Sequence, residues 1–257
     1  MTEMQLGDFS ALAKDYIHRP AYDPELIRAI LEHMGKCPSA IADVGAGTGK
    51  LTKVLSQLCG EAARLYAVEP NDAMRGEGEV YTSGDRAQWS KGTGEETGLP
   101  DGCVEWVTMA SSFHWTDPEK SLPEFRRILK EGGFLTILWN SRDVAASPLH
   151  REIEELIYRV VPHLKRVSSG NAEHTKNWAD ILASTGDFAD VWFRETSYVE
   201  RMTPERYLGA WRSVNDIQAQ AGSEKFQEIL RGISEKIASL EVIEVPYKMR
   251  SWTARRV

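Results

Sequence analysis

Apolar residues follow two alternating rhythms along this chain. Short, nearly continuous runs near 41–44, 64–69, 86–91, 103–110 and 133–140 read as strands buried on both faces. Between them, apolar positions recur at helical spacing, as in Leu51, Val54, Leu55 and Leu58. Alternation of this kind predicts a parallel, doubly wound sheet with ligands at the carboxyl ends of its strands. Three segments share one helix-start grammar: Asp23-Pro24-Glu25, Asp117-Pro118-Glu119 and Thr203-Pro204-Glu205. Each offers a capping side chain, a proline at the first helical position and an acid facing the positive helix end. They predict helices over 23–35, 117–130 and 203–213.

Beyond Asn140 the rhythm changes. A helix is expected over 148–161, with a break at Ser168-Ser169-Gly170-Asn171. A second is expected over 178–184, ended by Gly186. The run 190–199 and the tail 245–255 pair antiparallel and close the sheet. Basic residues alternate with apolar ones in that tail, so it reads as a solvated edge strand. Between the two runs, helices 203–213 and 223–239 form an insertion.

The segment Ile41-Ala42-Asp43-Val44-Gly45-Ala46-Gly47-Thr48-Gly49-Lys50 leads from strand through a glycine turn into a helix. Glycine lets backbone there approach a ligand closely. The spacing discriminates between ligand classes. A P-loop requires glycine where Val44 stands and Ser or Thr where Leu51 stands, so Gly49-Lys50 is a decoy. The dinucleotide fingerprint requires glycine where Lys50 stands. What remains is D-x-G-x-G-x-G, in which Asp43 repels pyrophosphate but accepts hydrogen bonds from an ammonium group. Arg64 to Val68 reads as the next strand, and Glu69 at its end is placed to accept from both hydroxyls of a ribose. The polar segment 92–102 precedes the fourth strand, and Thr93 with its neighbouring backbone is placed to meet the edge of a base.

These residues resemble the class I S-adenosylmethionine-dependent methyltransferases, in particular the small-molecule group that includes the trans-aconitate and ubiquinone/menaquinone enzymes. The resemblance covers 9–142 strongly and the rest loosely. It implies a Rossmann-like α/β fold with a mostly parallel seven-stranded sheet, an antiparallel edge strand and a helical cap insertion. One domain over 1–257 would divide into an amino-terminal arm and helix (9–36), a cofactor-binding core (37–142), cap segments (143–190 and 200–244) and a final strand (245–257). By the resemblance, Asp43, Gly45, Ala46 and Gly47 surround the methionine part of S-adenosyl-L-methionine, Glu69 and Pro70 the ribose, and Met74 the adenine. Thr93, Gly94 and Glu95 meet the adenine edge, and Ser111 lies beside the cofactor. The family usually has Asp where Thr93 stands, which leaves a weaker hydroxyl or backbone for that contact. The run from Leu129 to Leu135, with Gly132 and Gly133, matches the family's helix-to-strand turn. Tyr16, Arg19, Pro20 and Tyr22 resemble an arm that folds across the cofactor, with Arg19 pairing with the methionine carboxylate.

Methyl transfer from a sulfonium is an in-line displacement, so walls matter before a base does. Ser111-Ser112-Phe113-His114-Trp115 follows the fourth strand at the mouth of the site. Phe113, His114 and Trp115 are candidate walls, and His114 is the candidate base because an unperturbed imidazole titrates near 6.5. Trp139, Asn140 and Arg142 end the fifth strand and are candidates for recognising a polar or anionic acceptor; Trp211 in the insertion is another. The remaining histidines, His18, His33, His150, His163 and His174, read as helix-surface or loop residues without metal-ligand spacing, so no metal is expected.

Composition narrows the partners. The 257 residues carry 31 Lys and Arg against 38 Asp and Glu, a formal charge of −7. That balance disfavours a nucleic acid or an anionic membrane. No membrane span or signal pattern is visible, and Cys37, Cys59 and Cys103 read as buried reduced thiols, so a cytoplasmic monomer or homodimer is expected. The expected reaction is O-, N- or carboxyl-methylation of a small molecule. The rivals are a nicotinamide oxidoreductase, disfavoured by Lys50, a tRNA methyltransferase, disfavoured by charge, and a cofactor-binding subunit without transfer activity.

Overall fold

The computed structural model describes residues 8–60, 63–166 and 176–257. The expected break at 168–171 and His174 lie outside them. Seven strands form one sheet: β1 (Ala40–Val44), β2 (Arg64–Val68), β3 (Ala87–Ser90), β4 (Val104–Ala110), β5 (Leu129–Arg142), β6 (Phe188–Met202) and β7 (Ile243–Arg256). Their order is β3-β2-β1-β4-β5-β7-β6. The pairs from β3 to β5 are parallel, while β7 runs antiparallel to both β5 and β6. The expected antiparallel edge is therefore the β6–β7 pair. The tail is a correction in detail: β7 is not outermost but lies between β5 and β6, with Lys248 and Arg250 paired to Asp143 and Glu195. Strand order reverses between β1 and β4, where a crevice opens at the carboxyl ends.

The helices are α1 (Pro24–Met34), α2 (Lys50–Cys59), α3 (Asp72–Tyr81), α4 (Pro118–Ile128), α5 (Pro148–Val160), α6 (Trp178–Ala183), α7 (Pro204–Arg212) and α8 (Asn215–Ile237). The shared grammar works as physics requires: Asp23, Asp117 and Thr203 accept from the backbone N–H of Glu25, Glu119 and Arg206. Asn71 caps α3 through Ala73 and Met74. Helix α8 begins eight residues before the expected 223 and is broken at Gly222, whose φ of 71° leaves the helical region. Gly132 and Gly133 do not end α4. That helix stops at Ile128, Leu129 already pairs with Val104, and the glycines sit in a bulge before Phe134 meets Trp106. A Cβ at Gly133 would lie 2.9 Å from the Lys130 carbonyl, which explains the residue there.

Three apolar clusters hold the molecule together. One face of the sheet packs Val107, Leu135, Ile137 and Trp139 against α4 and α6. The other packs Ile41, Leu65, Trp106 and Leu138 against α1 and α2. A third lies in the cap, where Ile153 and Ile157 of α5 meet Trp211 of α7, Ile229 and Ile233 of α8, and Val245 of β7. No helix among the described residues is long and apolar enough to cross a membrane. Two expectations fail on burial. Cys37 is exposed and Cys103 only half-buried, and His150 is 2% exposed with no hydrogen-bond partner among the described residues at either ring nitrogen. Burial and the Arg142 charge push its imidazole down to about 4.

Candidate active site

The glycine turn is fixed by its neighbours. Gly45 and Ala46 donate to the Val68 carbonyl at 2.8 and 3.1 Å, tying the turn to β2. Gly45 has a φ of 67°, and a Cβ there would sit 2.7 Å from Ser112. Asp43 is wholly buried at the end of β1. Thr52 of α2 donates to one oxygen at 2.6 Å, and Thr108 of β4 to the other at 3.0 Å. Burial nevertheless raises its carboxyl to about 6. Glu69, at the tip of β2, accepts from Gly47 N at 2.8 Å and Asn71 N at 2.9 Å. It too is raised by burial, against those two backbone donors. Each of its oxygens retains acceptor capacity for a second hydrogen bond.

These carboxylates line one cavity of about 1120 Å³, together with Gly45, Ala46, Gly47, Pro70, Met74, Thr93, Gly94, Glu95 and Ser111. That is above the ~300–1,000 Å³ usual for a pocket holding one small ligand. Phe9, Tyr16, Arg19 and Tyr22 of the arm line it as well. The arm is joined to the cap. Arg19 donates to the Ser213 hydroxyl at 2.7 Å and its carbonyl at 2.8 Å, and its guanidinium lies 4.2 Å from the Tyr16 ring centroid. The expected pairing of Arg19 with a carboxylate thus meets a side chain already held by the protein. Thr93 is a similar case. Its hydroxyl accepts from Glu95 N and Glu96 N, closing its own loop, so it has no lone pair left for an adenine amino group. Glu95 accepts from Asp117 N.

The acceptor side divides the expected walls. Trp115, His114, Asn140 and Arg142 line the cavity. Phe113, Trp139 and Trp211 do not; each is at most 1% exposed. Phe113 and Trp139 pack against Trp178, the latter stacked with ring centroids 4.6 Å apart. Trp211 lies in the cap core beneath Arg142, whose guanidinium is 4.2 Å from its ring centroid. These three tryptophan and phenylalanine residues are supports rather than walls. Trp139 donates to Nδ1 of His114 at 3.3 Å. A neutral imidazole accepting there carries its proton on Nε2, and that atom is buried without a partner among the described residues. Burial, then the Lys176 charge, lowers the imidazole to about 4. His114 therefore presents an N–H donor, and the expected role as a base does not fit this geometry.

Residues 42–137 match a family model described as a methyltransferase domain. Over 158 residues the chain is 35% identical to an uncharacterized methyltransferase of Mycobacterium tuberculosis, covering 61% of either protein. Residues 42–137 are thus similar to a methyltransferase domain. The chain is also 25% identical over 170 residues to the ubiquinone/menaquinone biosynthesis C-methyltransferase UbiE of Vibrio cholerae, covering 62% of this chain and 65% of that one. The alignments span under two thirds of these relatives' lengths. Among solved structures, an S-adenosylmethionine-dependent methyltransferase from Aquifex aeolicus shares the fold with a TM-score of 0.53 and 17% identity, over 95% of this chain and 98% of that chain.

The residues of this methyltransferase domain fit S-adenosylmethionine. Gly47 faces Met74 across a gap in which an added Cβ would be 3.5 Å from the methionine methyl. Glu69 offers two acceptors at a strand tip, and Met74 is a buried apolar surface between turn and base loop. Sequence reasoning missed part of the lining. Glu154, Arg166, Asn215 and Asp216 also face the cavity. Arg166 donates to Glu154 at 2.9 Å and Asp216 at 3.2 Å. Val214-Asn215-Asp216 carried a faint signal: a polar pair ahead of an apolar helical run, masked by the break at Gly222.

Proposed function

We propose that this chain transfers a methyl group from S-adenosylmethionine to a small-molecule acceptor. The single observation that supports it is one cavity large enough for two molecules, with glycine turn and Glu69 at one end and His114, Asn140 and Arg142 at the other. S-adenosylmethionine, when bound, supplies a methyl group on an electrophilic sulfonium. Asp43 and the turn orient the amino-acid end, Glu69 takes the ribose hydroxyls, and Met74 packs against the adenine. Backbone of 93–95 takes the base edge, since the Thr93 hydroxyl is occupied. Arm and cap exclude water and hold the acceptor in line; such positioning contributes up to ~7–11 kcal/mol in favourable cases. His114 gives a hydrogen bond to the acceptor and takes no proton from it. The formal charge of −7 supports a small-molecule acceptor over a nucleic acid. Titration calorimetry with S-adenosylhomocysteine and with NADH tests the reading: binding of the first alone is expected, and binding of NADH alone would replace it with the oxidoreductase.

A further inference from the structure

We infer that the acceptor is a small carboxylic acid that also carries a hydroxyl or amino group, its carboxylate held by Arg142 and that group's hydrogen donated in a hydrogen bond to Asn140 Oδ1. The inference rests on the methyl-transfer reading and narrows it. Asn140 and Arg142 are two apart on β5, so both side chains leave the same face of the strand, and both line the cavity.

Among the described residues three arginines line that cavity, and two are answered by the protein: Arg19 by Ser213, Arg166 by Glu154 and Asp216. Arg142 is not. Its guanidinium lies over the buried Trp211 ring, its Nε is buried without an acceptor, and no ion pair joins it to a carboxylate of the described residues. The acids that line the cavity already have donors: Asp43 has two threonines, Glu69 two backbone amides, Glu95 the Asp117 amide, and Glu154 and Asp216 have Arg166. A half-buried guanidinium with a buried, unanswered Nε and no counter-charge is unfavourable, and a ligand carboxylate meets it with charge-assisted bonds.

Asn140 adds a second constraint. Its Nδ2 donates to the Ala21 carbonyl at 3.2 Å and the Tyr198 hydroxyl at 2.7 Å, which fixes the amide orientation. Its Oδ1 is then a buried acceptor with no donor among the described residues. The Tyr198 hydroxyl is no remedy, because it donates to Ala21 at 3.0 Å. One wall thus offers a cation, an acceptor and the Nε2–H of His114, all unanswered. A neutral or purely apolar acceptor leaves the first two unmet, and an amine without a carboxylate sets like charges together.

The test uses the full chain with S-adenosylmethionine and a library of aliphatic and aromatic hydroxy and amino acids, each matched with its primary amide; release of S-adenosylhomocysteine is read. Turnover is expected with acids, and kcat/KM for the amide mates is expected to be about tenfold or more lower, as for loss of a hydrogen bond to a charged group. Arg142→Gln is expected to lose a similar factor for the acid, mainly in KM, with Arg142→Lys intermediate. Both variants should bind S-adenosylhomocysteine as the native chain does, which shows that they fold. Amides used as well as acids, an unaffected Arg142→Gln, or no acid turned over by a chain that binds S-adenosylhomocysteine would each overturn the inference. Failure to bind S-adenosylhomocysteine would instead remove the methyl-transfer reading, and this one with it.

Discussion

The two ends of the cavity are built by different means. At the cofactor end, contacts are mostly short in sequence, Asp43 to Thr52, Glu69 to Gly47 and Glu69 to Asn71, with Asp43 to Thr108 the longer exception. At the acceptor end, they join the extremes of the chain: Arg19 to Ser213, Asn215 to the Asp8 carbonyl, Tyr198 to Ala21. A locally encoded end is fixed by strand, turn and cap geometry, whereas the other exists only once the cap core has formed.

Perturbing each end separately should separate the effects. The largest is expected for Trp139→Ala, which removes a wholly buried ring stacked on Trp178. A loss of about 3–5 kcal/mol of stability by denaturant unfolding is expected, as for other buried aromatic truncations. A small change there would return Trp139 to the walls. Next, Glu69→Ala should weaken S-adenosylhomocysteine binding by about 1.5–3 kcal/mol in calorimetry without raising the acceptor KM. Affinity equal to the native chain would mean that the ribose is held elsewhere.

Asp43 gives a smaller, pH-dependent effect. Its carboxyl titrates near 6 when folded rather than at its ordinary 3.8, so between those values the folded state binds the extra proton. The contribution of Asp43 to stability is thus greatest in acid and is lost as pH rises through about 6. An ammonium partner needs the carboxylate, so S-adenosylhomocysteine affinity should rise about tenfold from pH 5 to 7. Asp43→Asn should flatten that rise; an unchanged slope would assign it to another group. The smallest effect is expected at His114. Replacement of a base costs about 10²–10⁴-fold. His114→Gln, which keeps an N–H donor, should stay within about tenfold of native turnover and leave the pH profile unchanged, with His114→Ala lower than His114→Gln. A hundredfold loss in His114→Gln would restore the base.

How far the sequence was legible follows the same division. Seven strands, the capped helices and the turn-to-Glu69 arrangement were readable because a few adjacent residues specify each. Of the residues expected to form a wall, His114, Trp115, Asn140 and Arg142 line the cavity, while Phe113, Trp139 and Trp211 lie in the core. On β5, Leu135, Ile137 and Trp139 share one parity and continue the core, while Asn140 and Arg142 take the other and emerge into the cavity. The period-two pattern held that distinction, but both faces of the strand are buried from Leu135 to Leu138, which hid the parity. The tautomer of His114 was not readable at all, since it depends on Trp139 Nε1, twenty-five residues away. Nor was the grip of Ser213 on Arg19, across 194 residues.

A crystal structure with S-adenosylhomocysteine bound is the most direct test of a cofactor end and an acceptor end sharing one cavity. The account predicts its ribose hydroxyls on Glu69, its amino group near Asp43, and its sulfur facing the space before His114 and Arg142. The compound seated away from Glu69, or its sulfur turned from that wall, would contradict it.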